Sequence, residues 1–329
     1  MPVDIKELAI SLTQEETYKL LVEAIYMDDL NPSLYQMFPY LEKGKRFDIT
    51  TLSNIEDPMR AYKGCKLPVV AGSKAQSRFI EGDKVGFEIP FCDDQLEGTV
   101  LQLMAKQGLS SSDLTGTQLG MLLLENARLG WKKQMPKVAW FGDKSLSNTA
   151  YNMTDGFWKY IQQAVGSGQI QRESGYSNVV LGSGDVKDLL DKVYRQKAPR
   201  ELRGMNKSQL VYFASPSIKY ALEDDIDNQS IGSGEVKTYM LDGYEVVTYK
   251  GIQLVIYEEW DTLASDFWGQ TTAQNLVVLT AKQNFILGNS RMGNELELFY
   301  DKHDMQTKIR AAAMMGQQIQ RPELVAVAY

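Results

Sequence analysis

The chain has 329 residues, of which 43% are hydrophobic and 23% are charged, values typical of a folded protein rather than a disordered one. The formal net charge of −7 argues against general binding to duplex DNA, because phosphate contacts need a basic face. Two cysteines, Cys65 and Cys92, and one histidine offer neither a disulfide framework nor a metal-ligand spacing. No apolar run approaches roughly twenty residues and no secretory signal precedes the first predicted helix, so we expect no membrane partner.

The first 92 residues combine one short helix with a long extended region. Thr13 and Glu16 have the spacing of a capping box, which predicts a helix that ends at Asn31. Residues 33–92 lack helical periodicity and contain nine prolines and glycines that interrupt them, and alternating stretches at Phe79–Glu81 and Val85–Ile89 predict a hairpin. Because so long a segment has little local core, we expect partner chains to stabilise it and its amides to exchange freely in an isolated subunit.

Two helices are predicted next, one from Asp93 to Gly108 and one from Ser112 to about Gln134. The letters VAWFG, after Pro136, then read as a strand, and NMTDGFWKYIQQAV reads as a helix. Val186, Leu189, Leu190 and Val193 recur at helical spacing, and Ser215-Pro216 predicts the start of another helix. Lys250-Gly251 predicts a hairpin turn. Further strands are predicted at Leu210–Ala214, Tyr244–Thr248, Ile252–Tyr257, Leu276–Thr280 and Glu295–Tyr300.

Motifs for catalysis are missing from the sequence. The chain has no G-x-S-x-G, P-loop, dinucleotide or H-E-x-x-H pattern, and three Gly-Ser-Gly stretches read as turns. His303 lies between Asp301 and Asp304, where a solvated turn is favoured over a catalytic or metal role. Adjacent carboxylates read as surface groups, and Trp140, Trp158, Trp260 and Trp268 read as anchors of a core or interface. We therefore expect no enzymatic activity and no cofactor or metal.

The negative charge is concentrated in one stretch. Residues 215–261 contain ten acidic residues and three lysines, whereas residues 43–84 and 195–207 are mildly basic. The simplest interpretation is a solvated surface. A second interpretation is that these regions pair between neighbouring copies, where charge complementarity sets register. The candidates for contacts between copies are Lys63, Lys66, Lys74, Arg78, Arg195, Lys197, Arg200, Arg203, Glu223, Asp224, Asp225 and Asp227.

The order of these features resembles a known family. An N-terminal arm, an extended hairpin, a spine helix, "WFGD", "SPSIKYAL", "YKGIQLVIYEEWD" and "NLVVLTAKQNFILG" are similar, over nearly the whole chain, to the major capsid proteins of tailed bacteriophages. That resemblance implies an α+β, HK97-type fold, which encapsulin nanocompartments share. It also implies an N-terminal arm over 1–60, an E-loop over 61–92, a peripheral domain over 93–136 and 275–329, and an axial domain over 137–274.

The resemblance also settles how the end of the chain is interpreted. By propensity alone, TKIRAAAMMGQQ looks helical, but the family has a strand there, and the strand is the structure we expect. The letters ELVAVAY, after a bend at Pro322, would then form a strand pair that closes the peripheral sheet.

The function implied is a structural protein that self-assembles through hexameric and pentameric capsomers into an icosahedral phage head around the DNA genome. The implied partners are further copies of the chain, a portal protein, decoration proteins, and packaged DNA held without sequence-specific contact. Because the chain begins directly with the arm, we also expect a separate scaffolding protein. The implied location is the virion capsid, assembled in the host cytoplasm, and we expect no covalent cross-link between subunits.

Two alternatives stay open at this stage. An encapsulin-like compartment would share the fold but enclose enzymes. An α/β enzyme of hydrolase type would use the acidic 215–261 region as its substrate site. Sedimentation of the purified protein as a monomer or as large shells separates the enzyme from the two shell proteins.

Overall fold

A computed structural model of the chain describes residues 33–52, 75–91, 118–147, 150–177, 179–227, 236–241, 244–268, 275–290, 295–304 and 306–329. Within these residues, the chain forms two large sheets, a two-stranded ribbon and six α-helices. The strands are β1 Tyr35–Phe38, β2 Arg46–Leu52, β3 Ala75–Glu81, β4 Asp83–Phe91, β5 Gln171–Glu173, β6 Leu210–Ala214, β7 Val236–Leu241, β8 Tyr244–Tyr249, β9 Ile252–Ile256, β10 Val277–Ala281, β11 Phe285–Asn289, β12 Glu295–Asp301, β13 Gln306–Ile319 and β14 Val325–Ala328. The helices are α1 Gln118–Phe141, α2 Phe157–Gly166, α3 Asp185–Lys192, α4 Arg200–Gly204, α5 Pro216–Asp227 and α6 Trp260–Trp268, and a π-helical turn, Val193–Lys197, continues α3.

The five-stranded sheet is built around β13. This 14-residue strand pairs antiparallel with β4, β11 and β12, and β1 pairs parallel with β11. Every residue from Thr307 to Ile319 except Arg310 is buried, so both faces of the strand are covered. The expected strand at TKIRAAAMMGQQ is confirmed, because pairing and burial outweigh the helical propensity of its alanines.

The seven-stranded sheet has the order β5-β14-β10-β6-β9-β8-β7. The expectation that the end of the chain forms one strand pair is wrong: β13 and β14 lie in different sheets, and a 3-10 turn at Pro322–Leu324 separates them. All four residues of β14 are buried, as suits a strand with packed layers on both faces. Because β10 and β14 pair with strands from 137–274, the boundary expected at residue 275 does not separate the sheets.

Helices cover both faces of the seven-stranded sheet. The tryptophan-rich face packs against α1, α2 and α6, through residues such as Trp140, Trp158 and Trp260. The other face packs against α3 and α5, through residues such as Leu189 and Ile218. The expected role of the three tryptophans as core anchors is confirmed, since each is at most 2% exposed. The side chain of Trp268 lies outside the described residues.

The spine helix α1 ends at Phe141 and not near Gln134, where the sequence predicted its end. It has 24 residues and includes Pro136, so the strand predicted at VAWFG is wrong. Val138 to Phe141 are all buried, because the end of α1 packs inside the core. A short apolar run buried on all sides has the same sequence pattern as a buried strand, and Pro136 costs the helix one backbone hydrogen bond without ending it.

The predicted hairpin of Phe79–Glu81 with Val85–Ile89 is also wrong. Both stretches are strands, but only Gly82 separates β3 from β4, and the tightest common hairpin loop needs two residues. Instead, β3 pairs antiparallel with β2, from Arg46 opposite Glu81 to Leu52 opposite Ala75, and β4 pairs with β13. The chain therefore passes directly from the β2–β3 ribbon into the five-stranded sheet at Gly82.

The first described residues have a core within the subunit, which contradicts the expectation of a sparse one. Leu34, Tyr35, Leu41, Ile80 and Val85 are each less than 5% exposed. Partner chains are therefore not needed to bury this part of the chain.

A pair of glycines accepts Leu41. Gly288 of β11 and Gly316 of β13 face each other in the ladder. A Cβ atom at Gly288 would lie 2.5 Å from Leu41 Cδ1, and one at Gly316 would lie 2.4 Å from the backbone oxygen of Glu81. The missing side chains let Leu41 and the end of the ribbon pack directly on the sheet.

Two of the chain's crossings between the sheets are hydrogen-bonded to each other. Asn284 lies between β10 and β11, and Arg321 lies between β13 and β14. The Asn284 side chain donates to the Arg321 carbonyl (2.9 Å) and to Thr280 Oγ1 (3.0 Å), and it accepts from the Arg321 N–H (2.9 Å). One buried amide thus holds both crossings.

The helices predicted to end at Asn31 and to run from Asp93 to Gly108 lie outside the described residues, and the remaining predicted elements agree with the structure. Helix α2 begins at Phe157, five residues later than predicted from Asn152, and α3, α5 and β6 lie where expected. Lys250 and Gly251 have φ angles of 49° and 85°, the left-handed pair that a tight hairpin between β8 and β9 requires.

Candidate assembly surface

Helix α5 presents a charged stripe on its outer side. Its inner side buries Ile218 and Leu222 against the seven-stranded sheet. The outer side exposes carboxylates three and four residues apart, which places them on one face of the helix. We call this group the acidic stripe, and it consists of Glu223, Asp224 and Asp227.

The acidic stripe has no cationic partner among the residues that the structure describes. None of its three carboxylates forms a salt bridge with a residue that the structure describes, and the last turn of α5 contains no basic residue. The C-terminus of a helix carries the negative end of the dipole, so carboxylates are unfavourable there. An external cation would therefore be bound favourably at this end of α5.

Asp225 does not belong to the stripe, and the expectation that it contacts another copy is wrong. Its side chain is fully buried, and Oδ1 accepts a hydrogen bond from the backbone N–H of Gly184, at the start of α3. It joins α5 to α3 inside the subunit.

Three arginines form an exposed group that we call the basic patch. The Arg195 side chain is 68% exposed and lies 3.4 Å from Asp191. Arg203 donates to the backbone carbonyl of Arg195 (2.9 Å), and Arg200 is exposed without a salt bridge to any described residue. The patch, Arg195, Arg200 and Arg203, is thus held by α4 and the π-helical turn. Lys197 instead pairs with Glu173 of β5 (3.3 Å), with its side chain 28% exposed.

The two charged surfaces lie toward opposite ends of one helix. Asp225, beside the acidic stripe, contacts the N-terminus of α3 at Gly184. Arg195 lies in the π-helical turn at its C-terminal end, ten residues beyond Asp185, which corresponds to a rise of about 15 Å. The structure does not pair the stripe with the patch inside one subunit.

The candidates near the ribbon are only partly described. Lys63, Lys66 and Lys74 lie outside the described residues. Arg78 of β3 donates to the side chain of Gln169 (2.9 Å), in the turn after α2. Burial lowers the pKa of the Arg78 guanidinium, and the charge of Glu323 acts in the opposite direction. Arg78 thus already has a partner in its own subunit.

Exposed apolar side chains were missed by the sequence analysis. Tyr220 and Ile226 of α5 are 57% and 41% exposed, and Tyr220 lies on the opposite side of the helix from the buried Ile218 and Leu222. That offset is a signal that a helical projection would have revealed. On the ribbon, Phe79 is 53% exposed next to the buried Ile80, as strand alternation requires.

The groups considered for chemistry occupy structural positions. His303 is exposed in the turn after β12, where its N–H donates to Asp301 Oδ1 (2.9 Å). The Gly-Ser-Gly stretches at 166–168 and 182–184 lie at helix ends, and the third lies outside the described residues. Over the described ranges, no group of three histidine, cysteine or acidic residues is arranged to hold a metal. Nor does a helix in these ranges have the length and apolarity to cross a membrane.

One apolar cavity of about 160 Å³ lies between α1, β4 and β13. Its walls are Val85, Gly86, Phe87, Trp131, Gln134, Met135, Val138, Ala150, Met153 and Met315. None of these side chains titrates, so the cavity supplies no general acid or base.

Comparison with known proteins identifies the fold. No protein-family model and no curated protein sequence matches the chain. Among solved structures, a chain of the satellite phage P4 procapsid, determined with its size determination protein, matches with a TM-score of 0.59 at 10% identity, covering 95% of this chain and 90% of that one. The capsid of a native GTA particle matches with a TM-score of 0.55 at 10% identity, covering 91% of this chain and 89% of that one. The capsid of cyanophage P-SCSP1u matches with a TM-score of 0.51 at 15% identity, covering 90% of this chain and 86% of that one. The chain therefore has the α+β, HK97-type capsid fold that the sequence predicted.

Proposed function

We propose that this protein is the major capsid protein of a tailed bacteriophage, a structural subunit that assembles with its own copies into an icosahedral head around DNA. The observation that carries the proposal is a capsid fold spanning 95% of the chain, rather than one embedded module. The acidic stripe, the basic patch and the exposed Tyr220 and Phe79 support it, because they are surfaces that a neighbouring copy would cover.

The finer parts of the proposal concern the assembled head. Subunits would form hexameric and pentameric capsomers in the host cytoplasm, with a separate scaffolding protein, a portal and decoration proteins as partners. DNA would be enclosed without sequence-specific contact, in agreement with the net charge of −7. The strands at 210–256 would surround the capsomer axis, and the β2–β3 ribbon would reach a neighbouring subunit.

A structural role also fits the chemistry of the interior. The cavity beside Trp131 has no titratable wall, and the single histidine is an exposed turn residue. We therefore propose that the chain is not an enzyme.

The test is the state of the purified protein over a concentration series. We expect large particles or five- and six-membered rings in sedimentation and in electron micrographs. A protein that stays monomeric at every concentration and ionic strength would contradict the proposal. Particles isolated from producing cells should contain nuclease-protected DNA, whereas an enclosed enzyme would identify an encapsulin-like compartment.

A further inference from the structure

We infer that the acidic stripe of one subunit binds the basic patch of the next subunit, head to tail around a capsomer ring. The inference rests on the proposed function and names the surfaces that would meet within it. Its occupant is a second copy of this chain, because the chain itself carries both halves of a complementary contact.

The first argument is charge. Glu223, Asp224 and Asp227 are exposed at the negative end of α5 and form no salt bridge with described residues. Arg200 is likewise exposed without a described ionic partner, and Arg195 is 68% exposed despite its contact with Asp191. Guanidinium groups pair well with carboxylates because their planar fork matches two oxygens at once.

The second argument is position. The stripe and the patch lie toward opposite ends of α3 and its π-helical continuation, so within the described residues they do not pair with each other. A contact between two different surfaces of identical subunits is heterologous, and such contacts generate a closed ring when the rotation per subunit divides a full turn. Two surfaces at opposite ends of one lobe therefore suit a capsomer.

The third argument is the apolar content of the same surface. Tyr220 precedes Glu223 and Asp224 by three and four residues, which places its 57% exposed ring on the same side of α5. Ile226, 41% exposed, lies at the end of the stripe. An aromatic side chain with a charged rim is a frequent composition for a protein interface.

The experiment uses two charge-reversed full-length chains. One carries Glu223→Arg and Asp224→Arg, and the other carries Arg195→Glu and Arg200→Glu. Each variant alone places like charges across every contact, so the concentration needed for rings or shells should rise about fivefold or more. The acidic reversal should leave thermal stability unchanged or higher, because cations suit the C-terminus of α5.

The decisive arm is an equal mixture of the two variants. Complementary contacts then form only when the two chains alternate, which a six-membered ring allows and a five-membered ring does not. We expect the mixture to recover hexameric rings at wild-type concentrations, detected by native mass spectrometry, while pentameric rings stay depleted. A chain carrying all four substitutions should recover both.

A matched control separates this contact from general charge effects. Glu258 and Asp266 are exposed acids on or beside α6, at the opposite face of the sheet. Reversing both to arginine should leave assembly unchanged. If the wild-type chain assembles but neither reversed pair alters assembly, or if the folded pairs fail to complement each other, the inference is overturned and the proposed function stands. If the wild-type chain itself never assembles, the proposed function fails instead.

Discussion

At the scale of single residues, a buried amide joins two segments that connect the sheets. Asn284 is 4% exposed, and its side chain makes three hydrogen bonds that tie together the β10–β11 and β13–β14 crossings between the sheets. Buried polar groups that lose their partners are costly, since water cannot replace the lost hydrogen bonds. The position of Asn284 therefore matters to both sheets at once.

We predict that Asn284→Ala lowers the free energy of unfolding by about 2–4 kcal/mol, measured by chemical denaturation. Asn206 provides the control, because its side chain is exposed and makes one capping hydrogen bond, to the Ser208 N–H. Asn206→Ala should cost about 0.5–1 kcal/mol. Equal losses for the two variants would show that the crossings do not depend on Asn284.

A second residue-scale prediction concerns acid sensitivity. Burial by itself would raise the pKa of Asp143, but hydrogen bonds from Lys159 and Ser145 outweigh it and hold that pKa below its ordinary value. A carboxylate whose pKa is lowered on folding stabilises the protein above its unfolded pKa, near 4, and that stabilisation is lost as the pH falls further.

Asp143→Ala should accordingly reduce stability at pH 7 and flatten the decline between about pH 5 and pH 3, followed by denaturant titrations at several pH values. Ser145→Ala keeps the backbone donor and removes only the hydroxyl. The decline of stability with falling pH in Ser145→Ala should be intermediate between the declines in the wild type and in Asp143→Ala. A steeper decline in Asp143→Ala than in the wild type would contradict the assignment.

A count of charged residues could not distinguish the neighbours Asp224 and Asp225. Both belonged to one acidic run in the sequence, yet one is exposed in the stripe and the other is buried against Gly184. A helical projection distinguishes them, because 225 shares a side with the buried 218 and 222. That the buried carboxylate meets the start of α3 depends on tertiary packing, which periodicity does not specify.

At the scale of elements, glycine sets where the ribbon meets the sheet. Gly316→Ala would place a Cβ atom 2.4 Å from the Glu81 carbonyl and 3.0 Å from Leu41 Cδ1, so backbone must move. We predict a loss of about 1–3 kcal/mol in thermal or chemical unfolding.

In the spine helix, a substitution of glycine by alanine should have the opposite effect on the free energy of unfolding. Gly130 lies in the exposed middle of α1, and a Cβ atom there would meet nothing within 4 Å. Gly130→Ala should stabilise the protein by about 0.5–1 kcal/mol, because alanine favours helices and restricts the unfolded chain. Destabilisation by both variants would mean that contact geometry does not explain the difference.

The type of an element was largely predictable where its sequence periodicity was strong, as in α3 and β6. The predictions failed where tertiary packing decides the structure. The run at 138–141 is apolar on every side because α1 ends inside the core, and no sequence period distinguishes that from a buried strand. The β3 and β4 strands were recognised, but their partners, β2 and β13, lie far away in sequence. Pairing over such separations has no local signature.

At the scale of the whole molecule, we expect local stability to differ between parts of a single chain. Strands β1 and β4 pair inside the five-stranded sheet and bury Tyr35 and Val85. The ribbon has only two strands, and a two-stranded ribbon is only marginally stable where it does not pack against other elements. We therefore expect a gradient of stability along residues 33–91.

Hydrogen exchange on subunits kept below the assembly concentration should show that gradient. Amides of β1 and β4 should be protected, and those at the outer end of the ribbon, near Leu52 and Ala75, should exchange faster. Assembled particles should slow exchange at the ribbon with little change in β4. Equal exchange rates for the amides of β1 and β4 and for those at the outer end of the ribbon would contradict the expected gradient.

The charged groups of the candidate assembly surface were recognised from charge counting, but their geometry was not. The acidic excess at 215–261 and the arginines near 200 stand out in the sequence. Their placement at opposite ends of α3 follows from how α4 and α5 pack around that helix, which is a property of the folded lobe. The basic stretch at 43–84 contributes Arg78, whose described partner, Gln169, lies in the same subunit.

The position of β14 within its sheet has a consequence for biosynthesis. This strand, residues 325–328, is inserted between β5 and β10, which lie about 150 and 50 residues earlier in the chain. The sheet stays divided until the ribosome has released residue 328, whatever has folded before then. A prematurely terminated product lacking these four residues keeps two unpaired strand edges and cannot complete the lobe. Translation to that point is thus required before the seven-stranded sheet can close.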